Sequence, residues 1–594
     1  MSLLSDYEEQ QAPKHGLILL QVLVLLLFCL FTVRFWYLQI HKGAQFAELA
    51  RDNQMRQEPL YAPRGQLLDR SNELLAVNQP AYALALVREE CADVEATLRR
   101  VGEWTGMDYE VLRKKYEIGR KRVKPFAPMI LVSDISYDLL ARIEANSVYW
   151  PGLEIIVRPR RFYAHGRALA HILGYVADAN EEELEKDQGL ALGDIVGKQG
   201  LEYILEKRLR GAKGEKMLEV DATGRALNNR ILREPVAGEE IKLSIDLGLQ
   251  EFAVKQLEGQ SGGVVVLEPY SGQVLALVTQ PSYDNNAFAS GLSKTEWANL
   301  QKHPRKPLQN RVIQSVYPPG SVWKLLMAAC GLHEGVIDWR RTFFCSGSYS
   351  LGKRVFRCWK SGGHGAVNLR QALIHSCDVY FYQLGEKLGV DRISKYAFAC
   401  GFGERTGIDL PHENQGLVPT REWKKKRFGE VWHGGENLNL AIGQGYTLVH
   451  PLQVARFIAA LVNGGRIVKP NLTYGGGPVV QGKLPLSDEN RLKILEAMEN
   501  TVSQGTARRI FRPDAKIGGK TGTAQVVRIE QVRKKAHDMP YDFRDHAWLA
   551  TWGVKNEKSY VVVVMVEHGG HGGAAAGPLV KAIYDYLFGE AGKS

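Results

Sequence analysis

Read for where apolar and polar side chains fall, the chain has three textures. Gly16 to Val33 runs GLILLQVLVLLLFCLFTV and carries no charged side chain. At 1.5 Å rise per residue that run nearly crosses bilayer hydrocarbon, and Phe35, Trp36 and Tyr37 form an interfacial aromatic belt. A cleaved signal peptide would have a shorter apolar core and a small-residue cleavage site, whereas this run ends in Arg34-Phe-Trp-Tyr37. The pattern predicts an uncleaved anchor over 16–37 behind a short tail, 1–15. Lys14 and His15 before it and Arg34 and Lys42 after it give little bias in orientation. No later segment is as long and apolar, so the rest of the chain is expected on one side of the membrane.

From 38 to 235 the pattern is charged and irregular, predicting a mixed α/β domain. Tyr61-Ala-Pro-Arg-Gly-Gln-Leu-Leu-Asp-Arg70 places Pro63 and Gly65 in a turn, with Leu67, Leu68, Leu74 and Leu75 in flanking strands. Arg158-Pro-Arg-Arg-Phe-Tyr163 and Gly197-Lys-Gln-Gly-Leu-Glu202 read as turn and strand punctuation, with no nucleophile–base pair among them. From 236 to 594 the pattern sharpens. Ile241 to Ile245 alternates like a strand, Leu247 to Leu257 follows as a helix, and Gly263–Glu268 and Val274–Val278 flank a turn. Trp548–Val554 and Tyr560–Val566 read as two more strands, and Leu579–Leu587 as a closing helix. Strands at both ends of a helix-rich middle predict an α+β domain, an antiparallel sheet covered by helices.

Composition narrows the function classes. The chain has 594 residues, 45% hydrophobic and 24% charged, as a globular protein does. Seventy-six Lys and Arg against 65 Asp and Glu give a net charge of +11, which admits nucleic acid, anionic lipid or an acidic wall polymer as neighbours. No zinc-finger spacing, RNA-binding aromatic signature or concentrated basic helix favours nucleic acid. Seven cysteines are too few for a disulfide scaffold.

Three short motifs carry chemistry. In Ser321-Val-Trp-Lys324, preceded by Tyr317-Pro-Pro-Gly320 and followed by an apolar run, residues three apart share a helical face. Serine Oγ and lysine Nζ can then meet, and a desolvated amine can take the hydroxyl proton. The pattern recurs at Ser350-Leu-Gly-Lys353 in a glycine-rich stretch, where nothing fixes the two side chains together. Ser376-Cys-Asp378 leads a helical stretch. Lys520-Thr-Gly-Thr523 reads as an edge strand whose glycines let a ligand backbone approach.

Ser-x-x-Lys, then Ser-x-Asp, then Lys-Thr-Gly resembles the serine acyl-transferase signature shared by beta-lactamases and penicillin-binding proteins. With its anchor and the segments Arg64-Gly65…Asp69-Arg70, Arg160…Tyr163 and Gly200-Leu-Glu202, the chain resembles the class B penicillin-binding proteins over nearly its whole length. Gly443-Gln-Gly-Tyr446 also resembles a family segment, and Asp378, where many relatives have asparagine, together with Arg421-Glu-Trp-Lys-Lys-Lys-Arg427, is similar to the elongation-type members. The resemblance implies a pedestal domain over 38–235 and a transpeptidase domain over 236–594. It implies that Ser321 attacks the D-Ala-D-Ala bond of a peptidoglycan stem peptide, with Lys324 as base, Ser376 as proton relay and Lys520 holding Ser376. Asp378 would keep both lysines charged, which opposes the base role. Thr521, Gly522 and Thr523 would bind the substrate, and beta-lactams would trap Ser321. It further implies a bacterial inner-membrane location with a periplasmic catalytic domain. Glycan polymerisation would fall to a SEDS-family glycosyltransferase among the elongation machinery. Fast beta-lactam hydrolysis would instead mean a beta-lactamase, acylation without turnover a penicillin-binding sensor or scaffold, and a division role the other class B branch.

Cys345, Cys358, His364 and Cys377 lie within 33 positions and make a closed zinc set. A Cys345–Cys358 disulfide and three inert thiols are the alternatives. The resemblance adds weight to a structural zinc that braces the second motif from behind through Cys377. His568 and His571, in a glycine-rich segment, are expected on a loop at the cleft rim.

Overall fold

Lys14–Trp36 is one helix, exposed from residue 15 up to its aromatic end, as an unbroken apolar run without Gly or Pro in its interior after Gly16 dictates. The computed structural model describes residues 14–46, 55–220, 226–526 and 539–589, so most of the expected tail over 1–15 lies outside the described residues. The chain forms two compact units, residues 1–62 with 212–236 and residues 63–211 with 237–594. Besides the anchor, the smaller unit holds a three-stranded antiparallel sheet, in which Gly214–Val220 pairs with both Met55–Leu60 and Ala226–Arg233.

In the larger unit, the 13-residue strand Leu74–Leu86 is the axis of a second sheet and pairs with Leu67–Leu68, Met129–Ile135 and Leu153–Tyr163. Helices Val94–Thr105 and Tyr109–Arg122 begin on Asp93 and Asp108, whose carboxylates accept the first free backbone N–H groups. They bury Leu98, Val101 and Leu112 against Leu84, Leu86, Met129 and Leu131. Three sequence segments far apart converge on one carboxylate. Glu202 is fully buried, 2.6 Å from Arg64 Nε and 2.6 Å from Arg161 Nε, and Arg161 also donates to the Gly65 carbonyl at 2.8 Å. Burial alone would raise the Glu202 carboxyl, but Arg161 and Arg64 outweigh it and hold the group below the usual range.

The strand expected over 241–245 forms over Ile241–Lys242 and pairs in parallel with Leu67–Leu68. It therefore completes the sheet of the preceding segment and does not join the later one. Local alternation records the two-residue period and is silent on the partner.

The remaining sheet is antiparallel and five-stranded, in the order Val274–Gln280, Gly262–Leu267, Lys558–Val566, His546–Lys555, Lys516–Ala524. Its strand residues alternate between two cores. Val561, Val563 and Met565 face the helical middle, while Val562, Val564 and Val566 face helices Leu247–Gln256 and Gly572–Phe588. Each such side chain stabilises the fold by about 1.5–3 kcal/mol relative to exposure. The α+β architecture is the expected one. Lys516–Ala524 lies at the sheet's edge, as its glycines predict, and so presents one free rim beside the helical middle.

Candidate active site

Pro319 sits in the helical region and starts a single 3-10 turn, Gly320–Trp323, from which the buried helix Lys324–His333 continues. In a 3-10 turn residues i and i+3 eclipse, so Ser321 and Lys324 project to the same side. Gly320 adopts φ +54°, and a Cβ there would lie 2.6 Å from the Thr523 carbonyl. Only glycine lets the nucleophile's turn approach the edge strand this closely. Gly443 repeats the device from below, at φ +68° with its would-be Cβ 2.3 Å from the Gly320 carbonyl, and Gln444 Nε2 donates to the Thr523 carbonyl at 3.2 Å. Tyr317 and Trp548 fasten the turn's entry. Tyr317 Oη donates to Glu567 Oε1 at 2.7 Å and Trp548 Nε1 to the Pro318 carbonyl at 3.1 Å.

The second motif meets the first and third at their amines. Lys324 Nζ, fully buried, lies 2.6 Å from Asp378 Oδ1 and donates to the Ser376 carbonyl at 2.9 Å and to Ser376 Oγ at 3.3 Å. These, not Ser321 Oγ, are its hydrogen-bond partners among the described residues. Lys520 Nζ donates to Ser376 Oγ at 2.8 Å. One hydroxyl thus bridges an amine 52 residues before it and another 144 residues after it. Burial pushes the Lys520 ammonium well below the usual lysine range, the neighbouring Lys324 adds to this, and Asp378 opposes it. Asp378 therefore favours charge on Lys520, while burial works against it. Ser376 itself has φ +54°, a left-handed backbone that a non-glycine residue keeps only where its surroundings impose it.

Of the substrate-binding candidates, Thr521 Oγ1 is 2.8 Å from Thr506 Oγ1, and Thr523 Oγ1 lies at 3.5 Å from the Gly572 N–H. Gly572 abuts Gly522, where its would-be Cβ falls 2.3 Å from the Gly522 carbonyl, so the segment after His571 borders the third motif. His568 N–H donates to His546 Nδ1 at 3.1 Å. The second Ser-x-x-Lys copy, Ser350 with Lys353, is exposed on a hairpin formed by Ser348–Leu351 and Arg354–Arg357.

Cys345, Cys358, His364 and Cys377 converge until their four ligand atoms lie within 4.8 Å of one another. Paired strands Thr342–Cys345 and Gly365–Asn368 bring Cys345 beside His364, the hairpin delivers Cys358, and Cys377 precedes helix Asp378–Ala399. His364 Nδ1 is 3.6 Å from both Cys345 Sγ and Cys358 Sγ. Zinc with sulfur at about 2.3 Å and nitrogen at about 2.0–2.1 Å has a tetrahedral S···N edge of roughly 3.6 Å, so the donors fit that ion. The three cysteines are free thiols, which leaves the disulfide alternative without a bond. A shared hydrogen bond couples Cys358 and Cys377, lowering the Cys358 thiol to about 5 and pushing Cys377 up.

The sequence reading missed Trp359. Its backbone N–H donates to Asp378 Oδ2 at 2.9 Å and its indole N–H to the Ser376 carbonyl at 3.1 Å. The available signal was a tryptophan directly after Cys358, within the cysteine-rich stretch.

The chain is similar to known proteins over most of its length. The penicillin binding protein transpeptidase domain matches residues 262–585, and the penicillin-binding protein dimerisation domain matches residues 59–243. The peptidoglycan D,D-transpeptidase MrdA of Acinetobacter baumannii is 34% identical, over 98% of this chain and 89% of its own length. The protein of the same name from Escherichia coli is 33% identical, over 95% of this chain and 92% of its own. Among solved structures, the complex between penicillin-binding protein PBP2 and MreC from Helicobacter pylori superposes with a TM-score of 0.77 at 30% identity, covering 90% of this chain and 99% of that one.

Proposed function

The chain belongs to the class B penicillin-binding proteins, in the PBP2-like branch, and from that membership we infer which of its residues cross-link the cell wall. It is a serine-type D,D-transpeptidase of peptidoglycan elongation, a single-pass inner-membrane protein with its catalytic domain in the periplasm. The observation that carries the assignment of roles is the amine–hydroxyl–amine bridge of Lys324, Ser376 and Lys520 beside the turn of Ser321. Ser321 Oγ attacks the carbonyl of the penultimate D-Ala and releases the terminal D-Ala. The amine of a neighbouring stem peptide then displaces Ser321 from the acyl-enzyme and closes the cross-link. Lys324, desolvated and oriented by Asp378, takes the serine proton, and Ser376 passes a proton to the leaving amine under the hold of Lys520. Thr521 and Gly522 line the edge strand against which the stem peptide lies, and Thr523 receives its terminal carboxylate. The backbone N–H groups of Ser321 and Thr523 form the oxyanion hole, where one donor is worth about 3 kcal/mol.

The pedestal, expected over 38–235, runs on to Ile241–Lys242, which pair with its Leu67–Leu68, and the transpeptidase domain follows. Cys345, Cys358, His364 and Cys377 would hold a structural zinc, which would brace three sulfurs and an imidazole and supply no acyl-transfer chemistry. Cys377 ties that site to Ser376 and Asp378 on either side. Related structures support the partner reading. One relative is solved with MreC, and another, 98% of this chain covered at a TM-score of 0.71, belongs to a peptidoglycan synthase complex that coordinates polymerisation and cross-linking. A scaffold of the MreC kind and a membrane glycosyltransferase are the proposed partners of this chain.

Intact-protein mass after exposure to penicillin tests the roles. One penicilloyl adduct on the wild type and none on Ser321→Ala is expected, and labelling of the variant would remove Ser321 from its place.

A further inference from the structure

We propose that Trp359 is a positioning residue for acylation, holding the second motif in the strained shape its chemistry needs. Two groups of that motif are each gripped from two sides. The Asp378 carboxylate meets Lys324 Nζ at Oδ1 (2.6 Å) and the Trp359 backbone N–H at Oδ2 (2.9 Å). The Ser376 carbonyl accepts from Lys324 Nζ at 2.9 Å and from the Trp359 indole N–H at 3.1 Å, and the same indole N–H reaches the His375 carbonyl at 3.0 Å. Ser376 sits between these contacts at φ +54°. A left-handed non-glycine residue persists only when its neighbours over-determine it, and the indole fixes the two carbonyls that bracket this strained backbone.

Trp359 is 54% exposed, so its ring does little packing. Its nearest aromatic contact is an edge approach to His364, with ring centroids 5.4 Å apart. Both of its N–H groups go to the second motif. The hairpin before it is fastened by Tyr382 Oη, which donates to the Arg357 carbonyl at 3.1 Å and gives the indole a fixed base from which to pull. The indole through the Ser376 carbonyl, and the backbone N–H through Asp378, set where Lys324 Nζ rests, and hence how readily that amine turns to Ser321.

The proposal rests on Ser321 as nucleophile. It is tested in the full-length protein with Trp359→Phe and with Trp359→β-(3-benzothienyl)alanine, which keeps the bicyclic shape and lacks only the N–H. Stopped-flow acylation with a fluorescent penicillin separates the pre-acylation dissociation constant from the acylation rate. Both variants should lose roughly fivefold in acylation rate, the scale of one neutral hydrogen bond, with the dissociation constant and thermal midpoint unchanged. A wild-type acylation rate in the benzothienyl variant would overturn the proposal. So would a weaker dissociation constant at an unchanged rate, which would assign the ring to substrate contact. Absence of any acylation in the unsubstituted protein would count against Ser321 itself, not against Trp359.

Discussion

Ser376 is the side chain on which the site turns, because its hydroxyl is the one group that both amines reach. Ser376→Ala leaves Lys520 Nζ, fully buried, with only the Thr521 carbonyl at 3.2 Å among its remaining hydrogen-bond partners in the described residues. Loss of a proton relay costs typically 10²–10⁴-fold, so the second-order rate of penicillin acylation should fall by roughly 100-fold or more while the protein stays folded. Stopped-flow fluorescence measures the rate and circular dichroism the fold. A variant acylating at the native rate would remove Ser376 from the relay. At this scale the motifs were legible, since each marks a side chain whose chemical type decides its use. Trp359 was not, because half of its action passes through a backbone N–H that has no sequence signature. The position of Lys324 was half legible. Its spacing from Ser321 gives the shared side, but its ion pair with Asp378 joins residues 54 apart.

At the level of elements, two buried clusters lend themselves to measurement. Glu202 stands between Arg64 and Arg161, and removing its charge leaves the buried Arg161 guanidinium without its carboxylate, while Arg64 keeps Glu206 at 2.7 Å. Breaking such a pair costs about 3–5 kcal/mol, so Glu202→Gln should lower stability in urea by that order. The pH dependence has a definite sign. The folded carboxyl is held below its ordinary value, so its contribution is complete above the unfolded value of about 4.3 and is lost as pH falls towards the folded value. Urea midpoints taken downward from pH 6 should drop more steeply in the native protein than in Glu202→Gln, and parallel curves would contradict this account. The second cluster is the Cys345, Cys358, His364 and Cys377 set. Metal analysis should find one zinc per chain, and its removal by a chelator should lower both the thermal midpoint and the acylation rate, because Cys377 separates Ser376 from Asp378. Full acylation by a zinc-free protein would confine the metal to folding. Spacing made these four donors visible without deciding between zinc and disulfide. Their convergence, with His364 reaching both Cys345 and Cys358, is fixed by tertiary contacts that spacing does not carry. The pairing of Ile241–Lys242 with Leu67–Leu68 was likewise illegible, being fixed by a partner some 170 residues away.

For the whole molecule, the anchor and the catalytic sheet divide the work. An apolar helix holds the chain at the membrane, while Ser321, Lys324, Ser376 and Lys520 all lie in the larger unit. A chain lacking residues 1–46 should therefore still be acylated by penicillin at Ser321, yet form few cross-links beside a membrane-embedded polymerase. Equal cross-linking by both forms would show that the anchor is dispensable for access to the glycan. The net charge of +11 suits an acidic polymer as neighbour, consistent with peptidoglycan as the substrate. The most direct measurement is the muropeptide profile of nascent glycan made by a polymerase partner in proteoliposomes with this chain. Native protein should yield cross-linked dimers that vanish with penicillin or with Ser321→Ala, whereas dimers persisting in the Ser321→Ala reaction would contradict transpeptidation through that serine.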